Sequence, residues 1–160
     1  MTVHPIPPVF DGDSKILILG SFPSVKSRET SFFYGHPQNR FWRVTSAVTG
    51  CETPVAVPEK RAFLLDVHIA VWDVIASCDI IGSSDSSIRN VTPNDISKIL
   101  DAAKIGAIFT NGKTAHNLYQ KYIKCAVGRE DVCLPSTSPA NAAWTLVRLI
   151  AAWSVITQHL

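Results

Sequence analysis

Apolar residues gather along this chain in short unbroken runs rather than in strict alternation with polar ones. Lys15-Ile-Leu-Ile-Leu-Gly20 and Gly106-Ala-Ile-Phe-Thr110 are of strand length, and the first ends in glycine, the pattern of strands buried on both faces of a parallel sheet. Asp131-Val-Cys-Leu134 predicts a short last strand, and Ile69-Ala-Val-Trp-Asp-Val-Ile, apolar and β-branched, predicts strand or irregular core. Between these runs the period changes. Asn39 to about Val48 places Phe41, Trp42, Val44, Thr45 and Val48 on a helical face. Pro58 opens a second helix at its first turn. Thr92-Pro-Asn-Asp95 predicts a helix start running to about Lys104, Lys113 to Lys121 a further helix, and Pro139-Ala-Asn141 the opening of a long helix to about Ile156. Ser21 to about Gln38 and Gly82 to Asn90 are polar and rich in turn formers, hence loops. Strands alternating with helices predict a three-layer α/β/α sandwich around a short, mostly parallel sheet, with functional residues beyond the carboxyl ends of the strands.

Size and composition narrow this little further. The 160 residues suit one domain spanning 1–160 and can bury a core without a metal or disulfide staple. At 46% hydrophobic and 18% charged residues the chain is no disordered polyelectrolyte. Its formal charge of +2 permits an anionic partner without the basic excess of a protein that coats nucleic acid. Cys51, Cys78, Cys125 and Cys133 form no C-x-x-C pair and have no histidine at ligand spacing, so neither a metal site nor any other cofactor is expected. No secretory signal and no run of about 20 apolar residues is visible. A cytoplasmic monomer with reduced thiols and no membrane contact is the expectation.

Candidate chemistry lies at three strand ends: Gly20-Ser-Phe-Pro-Ser24, Asn111-Gly112 and Pro135-Ser-Thr-Ser-Pro-Ala-Asn141. The first lacks the glycine spacing of a phosphate loop and the G-x-S-x-G of a hydrolase elbow. A triad of Ser21, His68 and Asp66 can be drawn, which would make the chain a small-molecule serine hydrolase. Phe22 is either a core residue or a platform for a planar base. Phe32-Phe-Tyr-Gly-His-Pro-Gln-Asn-Arg-Phe-Trp42 crowds aromatic rings around Asn39, which on the plainer reading caps the following helix. Asn111 on that reading is a strand-to-helix cap, and Ser136 to Asn141 a turn rich in caps.

Gly20-Ser-Phe-Pro-Ser24 followed by Tyr34-Gly-His-Pro-Gln-Asn-Arg-Phe-Trp42 resembles the uracil-DNA glycosylase superfamily, in particular its hypoxanthine-DNA (deoxyinosine) glycosylase branch. Phe63-Leu-Leu-Asp66, Phe109-Thr-Asn-Gly-Lys113 and Pro135-Ser-Thr-Ser-Pro139 follow in the order such a family requires, so the likeness runs from about residue 15 to the C-terminus. Two positions depart from the pattern: Phe22 stands where mismatch-specific relatives carry a water-positioning Asn, and Leu134 stands where classical uracil enzymes carry His. The resemblance implies a monofunctional glycosylase that hydrolyses the N-glycosidic bond of hypoxanthine in DNA after flipping the base out. In that reading Asn39 positions the water and Asn111 is the second catalytic amide. Gly20, Ser21, Phe22, Pro23, Asp66 and His68 hold the base. Ser24, Arg40, Lys113, Ser136, Thr137, Ser138, Pro139 and Asn141 contact DNA carrying deaminated bases. A uracil- or xanthine-directed enzyme of the same fold and a non-catalytic nucleic-acid-binding module stand as alternatives.

Overall fold

A computed structural model describes residues 1–160. In chain order its elements are β1 (Thr2–Val3), β2 (Ile16–Gly20), α1 (Val25–Thr30), α2 (Phe41–Thr49), α3 (Val57–Asp66), β3 (Ile69–Asp73), β4 (Ile75–Asp79), β5 (Arg89–Pro93), α4 (Ser97–Ala102), β6 (Ala107–Asn111), α5 (Lys113–Tyr122), α6 (Lys124–Val127), β7 (Val132–Leu134) and α7 (Leu146–Trp153). A single 3-10 turn occupies Asp85–Ser87, and a longer 3-10 segment Ser154–His159.

The apolar runs form the centre, as their composition requires. Strands β3, β2, β6 and β7 lie side by side in that order, all parallel, with Ile18 opposite Val71 on one side and Phe109 on the other. Ile16, Leu17, Ile18 and Leu19 are wholly buried. Helices flank this sheet, α3 packing on β3, α5 on β6 and β7, and α2 against α7. The amphipathic face of α2 delivers Phe41, Trp42, Val44 and Thr45 to the core. The α/β class and parallel sheet expected from the sequence are therefore present. No helix is long and apolar enough to cross a membrane.

The strand order has a consequence for function. From β2 the chain moves outward to β3, then returns past β2 to β6. The direction of winding thus changes between β2 and β6, the position at whose carboxyl side open α/β sheets place their ligand crevices. Gly20 and Asn111 stand on its two sides.

Four expectations about elements need correction, the first being that Ser21 to about Gln38 is all loop: Ser24 caps helix α1 at Val25–Thr30 within it. Thr92–Pro93 belongs to β5, in a second, antiparallel sheet of order β1-β4-β5 that the periodicity did not reveal. Helix α4 starts only at Ser97, whose N–H is held 3.0 Å from Asp95 Oδ1. The long C-terminal helix begins not at Pro139 but at Leu146, capped by Thr145 Oγ1 accepting from Arg148 N–H at 3.2 Å. Residues 139–145 remain loop because Arg40, from another part of the chain, binds their carbonyls.

Candidate active site

Two amides meet at the crevice through one threonine. Asn39 precedes α2 and its Oδ1 accepts from Phe41 N–H at 2.9 Å, an Asx turn that starts the helix. The same oxygen accepts from Thr137 Oγ1 at 2.9 Å. Both acceptor positions of that oxygen are then filled, so the amide has only its Nδ2 donors left to offer. Thr137, fully buried in the loop after β7, also accepts from Asn111 Nδ2 at 3.0 Å and returns a bond from its own N–H to Asn111 Oδ1 at 3.0 Å. Asn39 and Asn111, far apart in sequence, thus become one fixed constellation. The N-cap expected of Asn39 is not formed: Arg40 holds that position without a side-chain cap, and Asn39 acts one residue earlier through its Asx turn, which coexists with the link to Asn111.

Arg40 braces the loop that carries Thr137. Its guanidinium donates to the carbonyl oxygens of Ser138 at 3.0 Å, Asn141 at 3.1 Å and Trp144, and its N–H donates to Thr137 O at 3.0 Å. Asn141 Nδ2 returns to Ser136 O at 3.0 Å, and Ser136 Oγ and Ser138 Oγ accept from Ser138 N–H and Ala140 N–H at 3.1 Å each. Arg40 and Thr137, expected at the phosphates, are internal supports instead. The reason is elementary: a guanidinium fork close to several free carbonyls satisfies them, and a loop buried at its centre must pair its polar groups. Gly112 allows the close approach of this loop to the β6–α5 turn, because a Cβ there would lie 2.9 Å from Ser136 Cβ, and its φ of +98° suits glycine.

An open cleft of about 480 Å³ adjoins the network. Lys113, exposed at the first turn of α5, Ser136, Ser138, Asn141, Trp144 and Asp85 line it. A second hollow of about 380 Å³ meets it across Asp85. Asp85 keeps much surface open, yet its carboxyl accepts from Ser21 Oγ at 3.2 Å, and partial loss of hydration raises its pKa above the ordinary value.

At the carboxyl end of β2, Gly20, Asp73 and Tyr34 crowd together. A Cβ on Gly20 would collide with Asp73 Oδ1 and lie 3.2 Å from Tyr34 Oη, so only glycine lets these groups come so near the β2 end. Asp73 ends β3, buried, with Oδ2 2.7 Å from His4 Nε2. Tyr34 stacks on Phe41 with ring centroids 4.0 Å apart, holds a strained φ of 52°, and buries its hydroxyl without a partner. Burial first, and the Asp73 charge second, raise its pKa far above that of a free phenol. A buried unpaired hydroxyl costs about 1–3 kcal/mol. Such a cost, together with a backbone outlier, marks a place built for something other than stability.

The remaining expected residues divide clearly. Asp66 ends α3 and His68 leads into β3, where its carbonyl accepts from Lys15 N–H at 2.8 Å. Both therefore stand at the amino ends of the strands, the opposite pole from Gly20 and Asn111. Base contact by Asp66 or His68, and the Ser21 triad with them, are excluded by that placement. Ser24 caps α1, accepting from Ser27 N–H at 3.1 Å. Phe22 is buried in a small cluster with Ile75, Cys78 and Ile88; Arg28 lies over its ring at 5.6 Å and the His4 ring meets it at a right angle. Pro23 is buried beside it. Sequence reasoning passed over Asp73, Tyr34 and His4. The available signal was Asp73 itself, a lone carboxylate closing an otherwise apolar strand.

Comparison with known proteins agrees with this architecture. The model of the Uracil DNA glycosylase superfamily matches residues 7–156. A curated protein of Methanosarcina acetivorans named hypoxanthine DNA glycosylase is 34% identical over 155 residues, covering 96% of each chain. Its namesake from Methanosarcina barkeri is 34% identical over 137 residues, covering 84% of this chain and 85% of that one. A solution NMR structure from Methanosarcina acetivorans, of a candidate uracil DNA glycosylase, superposes with a TM-score of 0.83 at 32% identity, covering 99% of this chain and 98% of the other.

Proposed function

The chain belongs to the uracil DNA glycosylase superfamily, and from that membership we propose that it is a monofunctional DNA glycosylase removing hypoxanthine from DNA by hydrolysis, with Asn39 positioning the water. Two relatives that share about a third of its residues over most of their length carry the name of that activity. The observation that supports the catalytic reading is the Asn39–Thr137–Asn111 network at the point where the sheet's winding reverses.

A base inside a duplex must leave the stack before any group on this sheet can reach it, at a cost of a few kcal/mol. The bond from C1′ to N9 of the purine then breaks, its electron pair staying on the base, and an oxocarbenium-like sugar forms. Such a carbon accepts a neutral water, so the enzyme's task is placement rather than activation. Asn39 Nδ2, the part of that amide free of internal bonds, donates to the water oxygen and holds it against C1′. The second hydrogen of Asn111 Nδ2 remains to stabilise charge on the departing base, as oriented donors do in water-poor sites. The water's oxygen bonds to C1′, and the proton it sheds passes to solvent or to Asp85, the carboxylate of the cleft wall. Lys113 and the N-terminal turn of α5 supply the positive end that a neighbouring phosphate requires.

The test is Asn39→Ala. Because Oδ1 accepts from both Phe41 N–H and Thr137 Oγ1, the variant loses roughly 2 kcal/mol of stability with those two bonds, and single-turnover release of hypoxanthine falls about a hundredfold or more. Near wild-type cleavage by folded Asn39→Ala protein would return Asn39 to the role of a helix-start residue.

A further inference from the structure

One buried polar pair at the site has no part in the reaction just described. The His4 and Asp73 side chains are only 3% and 5% exposed, with Nε2 and Oδ2 2.7 Å apart. His4 Nδ1 accepts from Ile6 N–H at 3.1 Å, which leaves the proton on Nε2 and makes the ring the donor toward the carboxylate. Phe22, Phe33 and Trp72 pack around the imidazole, so it is held in place. No protein donor reaches Asp73 Oδ1, which lies over Gly20, and the partnerless hydroxyl of Tyr34 lies over the same glycine. An acceptor and a donor without protein partners thus both crowd Gly20 at the end of β2.

We infer that the N-terminal segment completes the base pocket: His4 pins Asp73 so that its free oxygen accepts the N1–H of a 6-oxopurine, while the Tyr34 hydroxyl donates to the six-position oxygen. This rests on the hypoxanthine reading and names the residues that make the choice. Hypoxanthine presents an acceptor at position six and a donor at N1. Adenine presents the reverse, an amino donor and a bare N1 lone pair, which would face the Tyr34 hydroxyl hydrogen and the Asp73 oxygen with matching rather than complementary polarity. Deamination inverts both groups at once, and a site built to pair polar groups rejects the analogue that leaves them unpaired. Asp73 and Tyr34 are the specificity-determining residues here and His4 is a positioning residue. His4 precedes residues 7–156, the stretch that the superfamily model covers.

The experiment compares DNA carrying hypoxanthine with DNA carrying unsubstituted purine, whose N1 is an acceptor and which lacks the six-position oxygen. In Asp73→Asn the His4 N–H holds the new amide oxygen and turns the amide N–H toward the base, so the acceptor becomes a donor. The ratio of kcat/KM for hypoxanthine over purine falls at least about thirtyfold. Adding His4→Phe, which keeps an aromatic ring among Phe22, Phe33 and Trp72, frees the amide to rotate and restores part of the ratio. A ratio is independent of the folded fraction, so destabilisation of either variant does not imitate the result. An unchanged ratio in Asp73→Asn, with wild type active on hypoxanthine, overturns the assignment of Asp73 alone. A fall that His4→Phe does not relieve overturns the positioning role of His4. Wild type inert on hypoxanthine overturns the functional reading and this inference with it.

Discussion

Replacing Thr137 with valine removes one oxygen and leaves the shape of the side chain, which makes it the cleanest probe of the amide network. Two bonds vanish, from Thr137 Oγ1 to Asn39 Oδ1 and from Asn111 Nδ2 to Thr137 Oγ1. The backbone links from Thr137 N–H to Asn111 and from Arg40 N–H to Thr137 O persist. At about 1 kcal/mol for each lost bond, stability drops by roughly 2 kcal/mol, which for a chain of this size lowers the melting temperature by about 4–8 °C. Asn39 keeps its bond from Phe41 N–H but loses its lateral tether, and a displacement of about 1 Å at a reacting group can cost a hundredfold. Single-turnover cleavage of hypoxanthine-containing DNA, measured well below the melting temperature, should therefore slow by about 10–100-fold. Thr137→Ser keeps the hydroxyl and loses a buried methyl, so it should cleave close to wild type while giving up about 1 kcal/mol. A valine variant that melts lower yet cleaves at the wild-type rate would show that Thr137 fastens the loop without organising the amides.

Asp66→Asn and His68→Asn, at the far pole of the sheet, should each leave single-turnover cleavage within about twofold of wild type, and a tenfold loss in either would contradict their placement. Tyr119 donates its hydroxyl to Arg129 O at 2.7 Å; burial, and then the Asp131 charge, push its pKa up to about 12, above that of a free phenol. Its folded form therefore holds the proton more tightly than the unfolded chain, so its contribution is intact below pH 10 and drains away between about pH 10 and 12. Urea midpoints across that range should fall in wild type and fall less steeply in Tyr119→Phe; parallel slopes would remove Tyr119 as the source.

The parts of the fold legible in the sequence are those where a single local force dominates. Ile16–Gly20 and the Ala107–Phe109 part of β6 have no polar position that could face water, so burial on both faces was the only solution open to them. Asn39 and Asn111 were legible because they punctuate such elements. What escaped depends on distant partners. Thr92-Pro-Asn-Asp95 carries genuine helix-start chemistry, but pairing with β4 claims its first two residues. Asp66 and His68 drew attention as polar groups beside an apolar run, yet the two ends of a strand lie at opposite poles of the sheet, and the carboxylate at the pole that carries Gly20 is Asp73. His4 acquires its meaning only when β1 lies antiparallel to β4, with Thr2 opposite Cys78, which no local pattern states.

The separations that close the site bear on how the protein is made. Asn39 meets Thr137 across 98 positions, His4 meets Asp73 across 69, and Arg40 reaches Trp144 across 104. At translation speeds of about 5–20 residues per second, roughly 5–20 s pass between synthesis of Asn39 and of the threonine that fixes it. During that interval the strands β2 and β3 can pair, while the aromatic segment around Asn39 has nothing to anchor it. Loop closure on this scale is slow for a chain this short and exposes apolar rings in the meantime. A nascent chain that stops short of Thr137 would carry most of the sheet and an unjoined amide pair, so the constellation forms only once the loop after β7 has emerged.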